Sequence, residues 1–137
     1  MTDHDFDIVA RTLYGEARGE YAKIGISAFI AVANVIANRL TSSKKYGFTY
    51  ADVCLKPRQF SCWNASDPNR ILIQEETLEA EPLFRLTKTV AQKVMFGLWP
   101  DLTKGSEHYH ALSCKPYWAK ETKLRLQLGN HLFYKLD

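Results

Sequence analysis

One carboxyl group stands out by its neighbours. In the segment Tyr14-Gly15-Glu16-Ala17-Arg18-Gly19-Glu20, Glu16 follows Leu13 by three positions and Val9 by seven, a spacing that turns it toward the buried side of a helix. Burial disfavours the charged form of a carboxyl and raises its pKa. A glutamic acid protonated near neutral pH is what a general acid needs to protonate a glycosidic oxygen. Gly15 removes a side chain beside it, which leaves room for a bulky substrate. The same inward carboxylate also suits a structural role, paired with Arg18 or capping the next helix. Glu20 lies four residues after Glu16 and is a candidate second carboxylate if the helix continues. Retaining glycosidases set two carboxyls about 5 Å apart and inverting ones roughly 6.5–9.5 Å apart. If Gly19 ends the helix, Glu20 starts or caps the next one instead. Asp52, Asp67, Asp101 and Glu107 receive no assignment.

Two further segments carry chemistry. Gln59-Phe60-Ser61-Cys62-Trp63 sets aromatic rings beside an amide that both donates and accepts, the equipment of a carbohydrate groove. Tyr14, Gln59, Phe60, Ser61 and Trp63 are therefore candidate substrate-binding residues, with a plain core as the alternative for the rings. Glu107-His108-Tyr109-His110, followed by Trp118 and His131, supports two readings. His108, Tyr109, Trp118, His131 and also Tyr134 suit a sugar groove or an aromatic core. His108, His110 and His131 together raise the question of a zinc site, and with it a zinc-dependent amidase. On a strand His108 and His110 share a face, but nothing in the spacing brings His131 to them. No metal or other cofactor is expected on the favoured reading.

The elements that must position these residues follow from periodicity. Phe6, Val9, Ala10, Leu13 and Ala17 predict a helix from Thr2 or Asp3 to Gly19. Residues 24–40 predict a second helix, apolar nearly all round and so central; Asn34 within it reads as a satisfied core amide. Residues 41–49 form a polar loop, 51–55 a short helical turn ended before Pro57, and Asp67-Pro68-Asn69 a turn. A third helix starts near Pro82, presents Leu83, Leu86, Thr87, Val90 and Val94, and closes at Gly97 and Pro100. Residues 101–117 suggest a loop with a short hairpin. Leu124, Leu126 and Leu128 alternate with polar positions as in a strand, Gly129-Asn130 marks a turn, and 131–134 is a second strand. The expected fold class is α+β, mainly helical with a small hairpin or sheet.

A chain of 137 residues, 46% hydrophobic and 24% charged, fits one domain over 1–137 with a real core. A net charge of +3 favours association with an anionic polymer such as a bacterial envelope. Its Lys and Arg are scattered, which argues against nucleic acid. Cys54, Cys62 and Cys114 are odd in number and form no C-x-x-C pair, so a disulfide framework is not expected. The acidic start and the short apolar stretch at 24–36 imply neither a signal peptide nor an integral membrane segment. A monomer made in the cytoplasm is expected.

In their order along the chain, the motifs 10–20, Ala31-Val32-Ala33-Asn34-Val35-Ile36-Ala37-Asn38-Arg39, Gln59-Phe60-Ser61-Cys62-Trp63, His108-Tyr109, Trp118-Ala119 and Gly129-Asn130-His131-Leu132-Phe133-Tyr134 resemble the catalytic domain of the SleB-type cell-wall hydrolases, which include the spore-cortex-lytic enzymes. The resemblance runs from about residue 8 to residue 135. It implies a lysozyme-like fold related to lytic transglycosylases and resuscitation-promoting factors. It implies cleavage of the β-1,4 bond between N-acetylmuramic acid and N-acetylglucosamine, by a lytic transglycosylase or a muramidase, with the family's catalytic glutamate on Glu16. Peptidoglycan glycan strands are then the partner. A catalytic domain without export signal or separate wall-binding domain is similar to a phage or prophage endolysin, which reaches the wall when the inner membrane is breached. The rival readings are the zinc amidase and a non-catalytic glycan-binding module.

Overall fold

Thr2 starts the first helix. Its hydroxyl accepts from the Asp5 amide at 3.2 Å, and the Asp5 carboxylate accepts the Thr2 amide at 3.0 Å, a reciprocal cap that satisfies two otherwise orphaned donors. In the computed structural model, which describes residues 1–136, helix α1 runs Asp3–Ile24. Gly19 does not stop it. A mid-helix glycine costs only about 1 kcal/mol, and the next turn is held by Tyr21, whose ring stacks on Phe29. The stop falls at Gly25, whose φ of 68° is a left-handed conformation that glycine adopts without penalty.

Helix α2 (Ser27–Thr41) follows at once, starting later than the expected residue 24 because Ile24 belongs to α1. Phe29, Val32, Ala33 and Ile36 pack into the helical core against α1 and α5 (Pro82–Met95). Ala31 and Val35 bury against Phe133 of the sheet. The helix is apolar on two sides because it is the wall between two packed layers. Between α2 and α5 lie α3 (Tyr50–Leu55), a 3-10 turn Ser61–Trp63, α4 (Asn69–Gln74) and a second 3-10 turn Glu76–Ala80. The short α4 carries Ile73, fully buried against α1.

Beyond α5 the polar residues of α2 take over. The Asn34 side-chain oxygen accepts the Leu102 amide at 3.0 Å, and the Asn38 amide donates to Asp101 at 2.9 Å and to the Ser106 carbonyl at 3.0 Å. These bonds fix the loop that delivers β1 (His108–Ala111). Strand β1 does not hairpin within 101–117. It pairs antiparallel with β3 (His131–Tyr134), which also pairs with β2 (Leu124–Leu128), giving the order β1-β3-β2. The register sets Tyr109 opposite Phe133 and His110 opposite Leu132. The turn between β2 and β3 is the expected Gly129-Asn130, with Gly129 at φ 56°. The architecture is mainly helical with one small antiparallel sheet, and no described helix is long and apolar enough to cross a membrane.

Candidate active site

Glu16 lies in the middle of α1, where the helix passes beneath a cleft of about 400 Å³. The 3-10 segment and the end of α2 form one side of the cleft and the sheet forms the other. The Tyr109 hydroxyl of β1 donates to Glu16 Oε1. The Cys62 backbone amide donates to Oε2 at 3.0 Å, and the Ser61 hydroxyl donates to the same oxygen at 3.4 Å. Both carboxyl oxygens therefore have fixed directions. Burial, reinforced by the Glu16 charge, pushes the Tyr109 hydroxyl well above the ordinary tyrosine range, so it stays a neutral donor.

The glycine before Glu16 has a different use from the one expected. A Cβ on Gly15 would lie 2.8 Å from Cys62 Cβ, 3.0 Å from its sulfur and 3.2 Å from Ile73 Cγ2. The space is filled by Cys62, and the close packing is what brings the Cys62 amide onto the carboxyl. The thiol stays protonated: burial, reinforced by the Glu16 carboxyl beside it, raises its pKa far above the usual value.

The cleft brings together Glu16, Gln59, Ser61, Tyr109 and His131 from the candidate residues, and His110 borders it with its ring stacked on Tyr134. The others lie elsewhere. Tyr14 is buried edge-to-face against Phe84, with the Arg18 guanidinium over its ring. Phe60, 1% exposed, is a core residue and not a groove platform. Trp63 is half-buried, its indole N–H donating to the Thr12 hydroxyl at 2.9 Å. His108 and Trp118 lie against one another, their rings tilted by 47°, on the far side of the sheet. Strand alternation is the reason: Tyr109 and Phe133 face α2, so His108, His110 and Tyr134 face away.

The same alternation takes apart the histidine trio. His131, opposite Ala111, shares the Tyr109 face, whereas His108 and His110 sit on the other. His110 donates from Nδ1 to the Ala111 carbonyl at 2.8 Å and its Nε2 meets the Tyr134 hydroxyl at 2.8 Å, while His108 Nε2 meets the Tyr46 hydroxyl at 2.9 Å. Among the described residues no cluster of three His, Cys, Asp or Glu side chains could hold a metal. The donor set a zinc amidase requires is not assembled.

Arg18 does not pair with Glu16; it donates to the Asn69 side chain at 2.5 Å. Glu20 follows on α1 but is committed to the sheet, its carboxylate accepting the Asn130 amide at 3.2 Å. Among the described residues lining the cleft, Glu16 is the one carboxylate. Burial draws the His131 pKa below its ordinary value, with Glu20 and Glu16 pulling it partly back. Its ring is therefore neutral near pH 7.

Three cleft residues were not singled out by pattern. Arg39, 5% exposed, lies sandwiched between the Tyr46 and Phe60 rings, at 5.1 and 4.8 Å. It donates to the Glu107 carbonyl at 2.7 Å and to the Gln59 side chain at 3.2 Å. A signal existed: Arg39 continues the buried row Val32-Ile36 at helical spacing, and a charge on an apolar face is buried for a reason. Arg58 lines the cleft in a left-handed conformation, φ 67°, uncommon for a residue with a Cβ. Asn69 begins α4 and reaches the cleft beside Arg18.

Comparison with known proteins identifies the family and the fold. The profile of the Cell Wall Hydrolase family matches residues 25–134. Two solved structures share the fold over nearly the whole chain, including the Glu16 region that precedes the profile match. The catalytic domain of the germination-specific lytic transglycosylase SleB from Bacillus anthracis is 26% identical, with a TM-score of 0.73 over 98% of this chain and 97% of that one. The catalytic domain of the Bacillus cereus SleB protein is 24% identical, with a TM-score of 0.71 over 98% and 91%. No curated protein matches significantly. With the family profile matching most of its sequence, the chain belongs to the Cell Wall Hydrolase family.

Proposed function

We propose that the protein cleaves the β-1,4 bond between N-acetylmuramic acid and N-acetylglucosamine in peptidoglycan, with Glu16 as acid and then base. The observation that carries this reading is a single carboxyl group, oriented by Tyr109, Cys62 and Ser61, in a cleft lined by amides, hydroxyls and arginines. Glu16 gives its proton to the glycosidic oxygen as the bond from the muramic acid anomeric carbon breaks. N-acetylglucosamine leaves with a free 4-hydroxyl. The 6-hydroxyl of the same muramic acid then attacks the anomeric carbon, and its proton passes to the Glu16 carboxylate. The product is a 1,6-anhydro sugar, and the carboxyl is restored. One group serves both steps.

A hydrolase of the two-carboxylate type needs a second acid across the cleft. Glu20 is bound to the Asn130 amide instead, which favours the transglycosylase form. The structural relative from Bacillus anthracis is described as a lytic transglycosylase, which supports the same choice. Mass spectrometry of the muropeptides released from purified sacculi tests it. Anhydro-muramic ends are expected, and only reducing muramic ends would reject transglycosylation. Glu16→Gln is expected to keep the fold and lose cleavage; substantial residual cleavage would place the acid on another residue.

A further inference from the structure

Arg39 is a cation buried beside neutral groups. The residue is 5% exposed, and its guanidinium lies between the Tyr46 and Phe60 rings. Both groups it hydrogen-bonds are uncharged: the Glu107 backbone carbonyl and the Gln59 side-chain amide. The Glu107 carboxylate is turned elsewhere, to Lys135 and the Ser42 hydroxyl. A buried charge is costly unless several partners hold it, and two rings and two carbonyl oxygens do so here. The two hydrogen bonds leave different nitrogens. Nε ties the residue before β1 to α2, a structural task. Nη1 goes to Gln59, which lines the cleft.

That second bond fixes which end of the amide the cleft meets. Arginine carries donors only, so Gln59 Oε1 faces Arg39 and Nε2 faces away from it. The rest of Gln59 is fixed too. Its backbone N–H donates to the Lys56 carbonyl at 3.2 Å, Arg58 before it holds the left-handed φ of 67°, and Phe60 after it packs against Arg39. Among the described residues nothing accepts a hydrogen bond from Gln59 Nε2. Two N–H donors are therefore left for the cleft, and the cation on Oε1 strengthens them by polarising the amide.

We propose that Arg39 is a positioning residue: it locks Gln59 as a donor-only amide, which binds the carbonyl oxygen of a substrate acetamido group. The proposal rests on the reading of the cleft as a site for glycan strands. Both sugars of such a strand carry a 2-acetamido group, whose carbonyl oxygen only accepts. Their hydroxyls donate as well as accept, so a site limited to donors suits them less well.

The test is steady-state kinetics on soluble, uncrosslinked glycan strands, with unfolding midpoints as the check on folding. Gln59→Met keeps the bulk and removes the amide. Its KM is expected to rise roughly tenfold, with kcat within about threefold of the parent, because the contact is made in the bound strand and the transition state alike. Gln59→Glu still accepts from Arg39 but turns an acceptor to the cleft. Its KM is expected to rise further than that of Gln59→Met, and a smaller rise would show that the amide is not locked. Arg39→Lys keeps the charge, but one ammonium cannot hold both the Glu107 carbonyl and Gln59. Its KM is expected to rise as for Gln59→Met, and the double variant no further than either. An arginine with a structural task alone would lower the unfolding midpoint and leave KM unchanged, or add its effect to that of Gln59→Met. Either result would overturn the proposal, as would a parental KM for Gln59→Met. Strands de-N-acetylated by a deacetylase identify the acceptor. On them the KM ratio of Gln59→Met to parent is expected to shrink to about one, and an unchanged ratio would overturn the acetamido assignment. If the parent cleaves no strand, the reading of the cleft falls as well; if it cleaves with a KM indifferent to these variants, this proposal falls alone.

Discussion

Replacing Gly15 by alanine sets two opposite effects against each other. At an unconstrained helical site the change would stabilise the chain by up to about 1 kcal/mol, through helix propensity. Here the new Cβ would sit 2.8 Å from Cys62 Cβ, where carbon atoms prefer roughly 3.5–4.0 Å. Cys62 Cβ cannot rotate away, so the backbone at 61–62 must move by about 1 Å. Overpacking of this kind costs about 1–3 kcal/mol, and a rigid contact belongs at the upper end. The net loss is then about 2 kcal/mol, a fall in Tm of roughly 8 °C for a domain of this size. The Cys62 amide that holds Glu16 Oε2 at 3.0 Å moves with its backbone. A displacement of about 1 Å in a catalytic group can cost on the order of 100-fold in rate. Calorimetry gives the first quantity, and the rate of muropeptide release at 25 °C, far below the melting transition, gives the second. Adding Cys62→Gly removes the Cβ and the sulfur that the new methyl group would strike but keeps the amide, so the double variant should recover much of the rate. A Gly15→Ala protein that melts higher and cleaves at the parental rate would refute the reasoning.

Tyr109→Phe removes the hydroxyl on Glu16 Oε1 and keeps the ring against Phe133. A hydrogen bond to a charged group contributes about 1.5–3 kcal/mol, so kcat should fall by roughly 10–100-fold with little change in Tm; a parental kcat would show that the hydroxyl does not orient the acid. His131 gains a proton less readily folded than unfolded, so the unfolded chain binds more protons below about pH 6.5. Its share of stability is complete above that value and is lost as pH falls through the lower folded-state value. His131→Gln should flatten that decline in urea titrations between pH 7 and 5, and an unchanged slope would assign it to other groups. All three cysteines are free, with Cys54 and Cys62 buried and only Cys114 exposed, and burial pushes the Cys54 thiol up to about 12. One thiol should react quickly with a disulfide reagent in the native protein and three after unfolding; two fast thiols would mean that a buried one is reachable.

Much of the helical frame can be read from spacing, because an amphipathic stripe is a local property. Val9, Leu13 and Ala17 are all core, and α5 runs from Pro82 almost to the expected Gly97 stop. The Gly129-Asn130 hairpin is equally local. What spacing cannot supply is which of several helix-compatible glycines ends a helix. Gly19 has open space around it and stays helical, while Gly25 takes the left-handed turn. Nor does aromatic composition separate groove from core: Phe60 and Tyr109 look alike in the sequence, yet one lies under Arg39 and the other on Glu16. The partner of β1 is also non-local, since β3 lies beyond the 112–123 segment. Glu16 was legible because its helical phase and its motif agree. Its three donors were not, because they arrive from distant parts of the chain.

That distance has a consequence for when the enzyme can cut. Glu16 is synthesised early, but Ser61 and Cys62 join it from the middle of the chain and Tyr109 from the final quarter. Tyr109 is placed only once β1 has zipped to β3. A nascent or truncated chain lacking that strand pairing carries the glutamate without its aim. A single proteolytic nick in the 112–123 connection is likewise expected to lower muropeptide release while the helical circular dichroism signal stays unchanged.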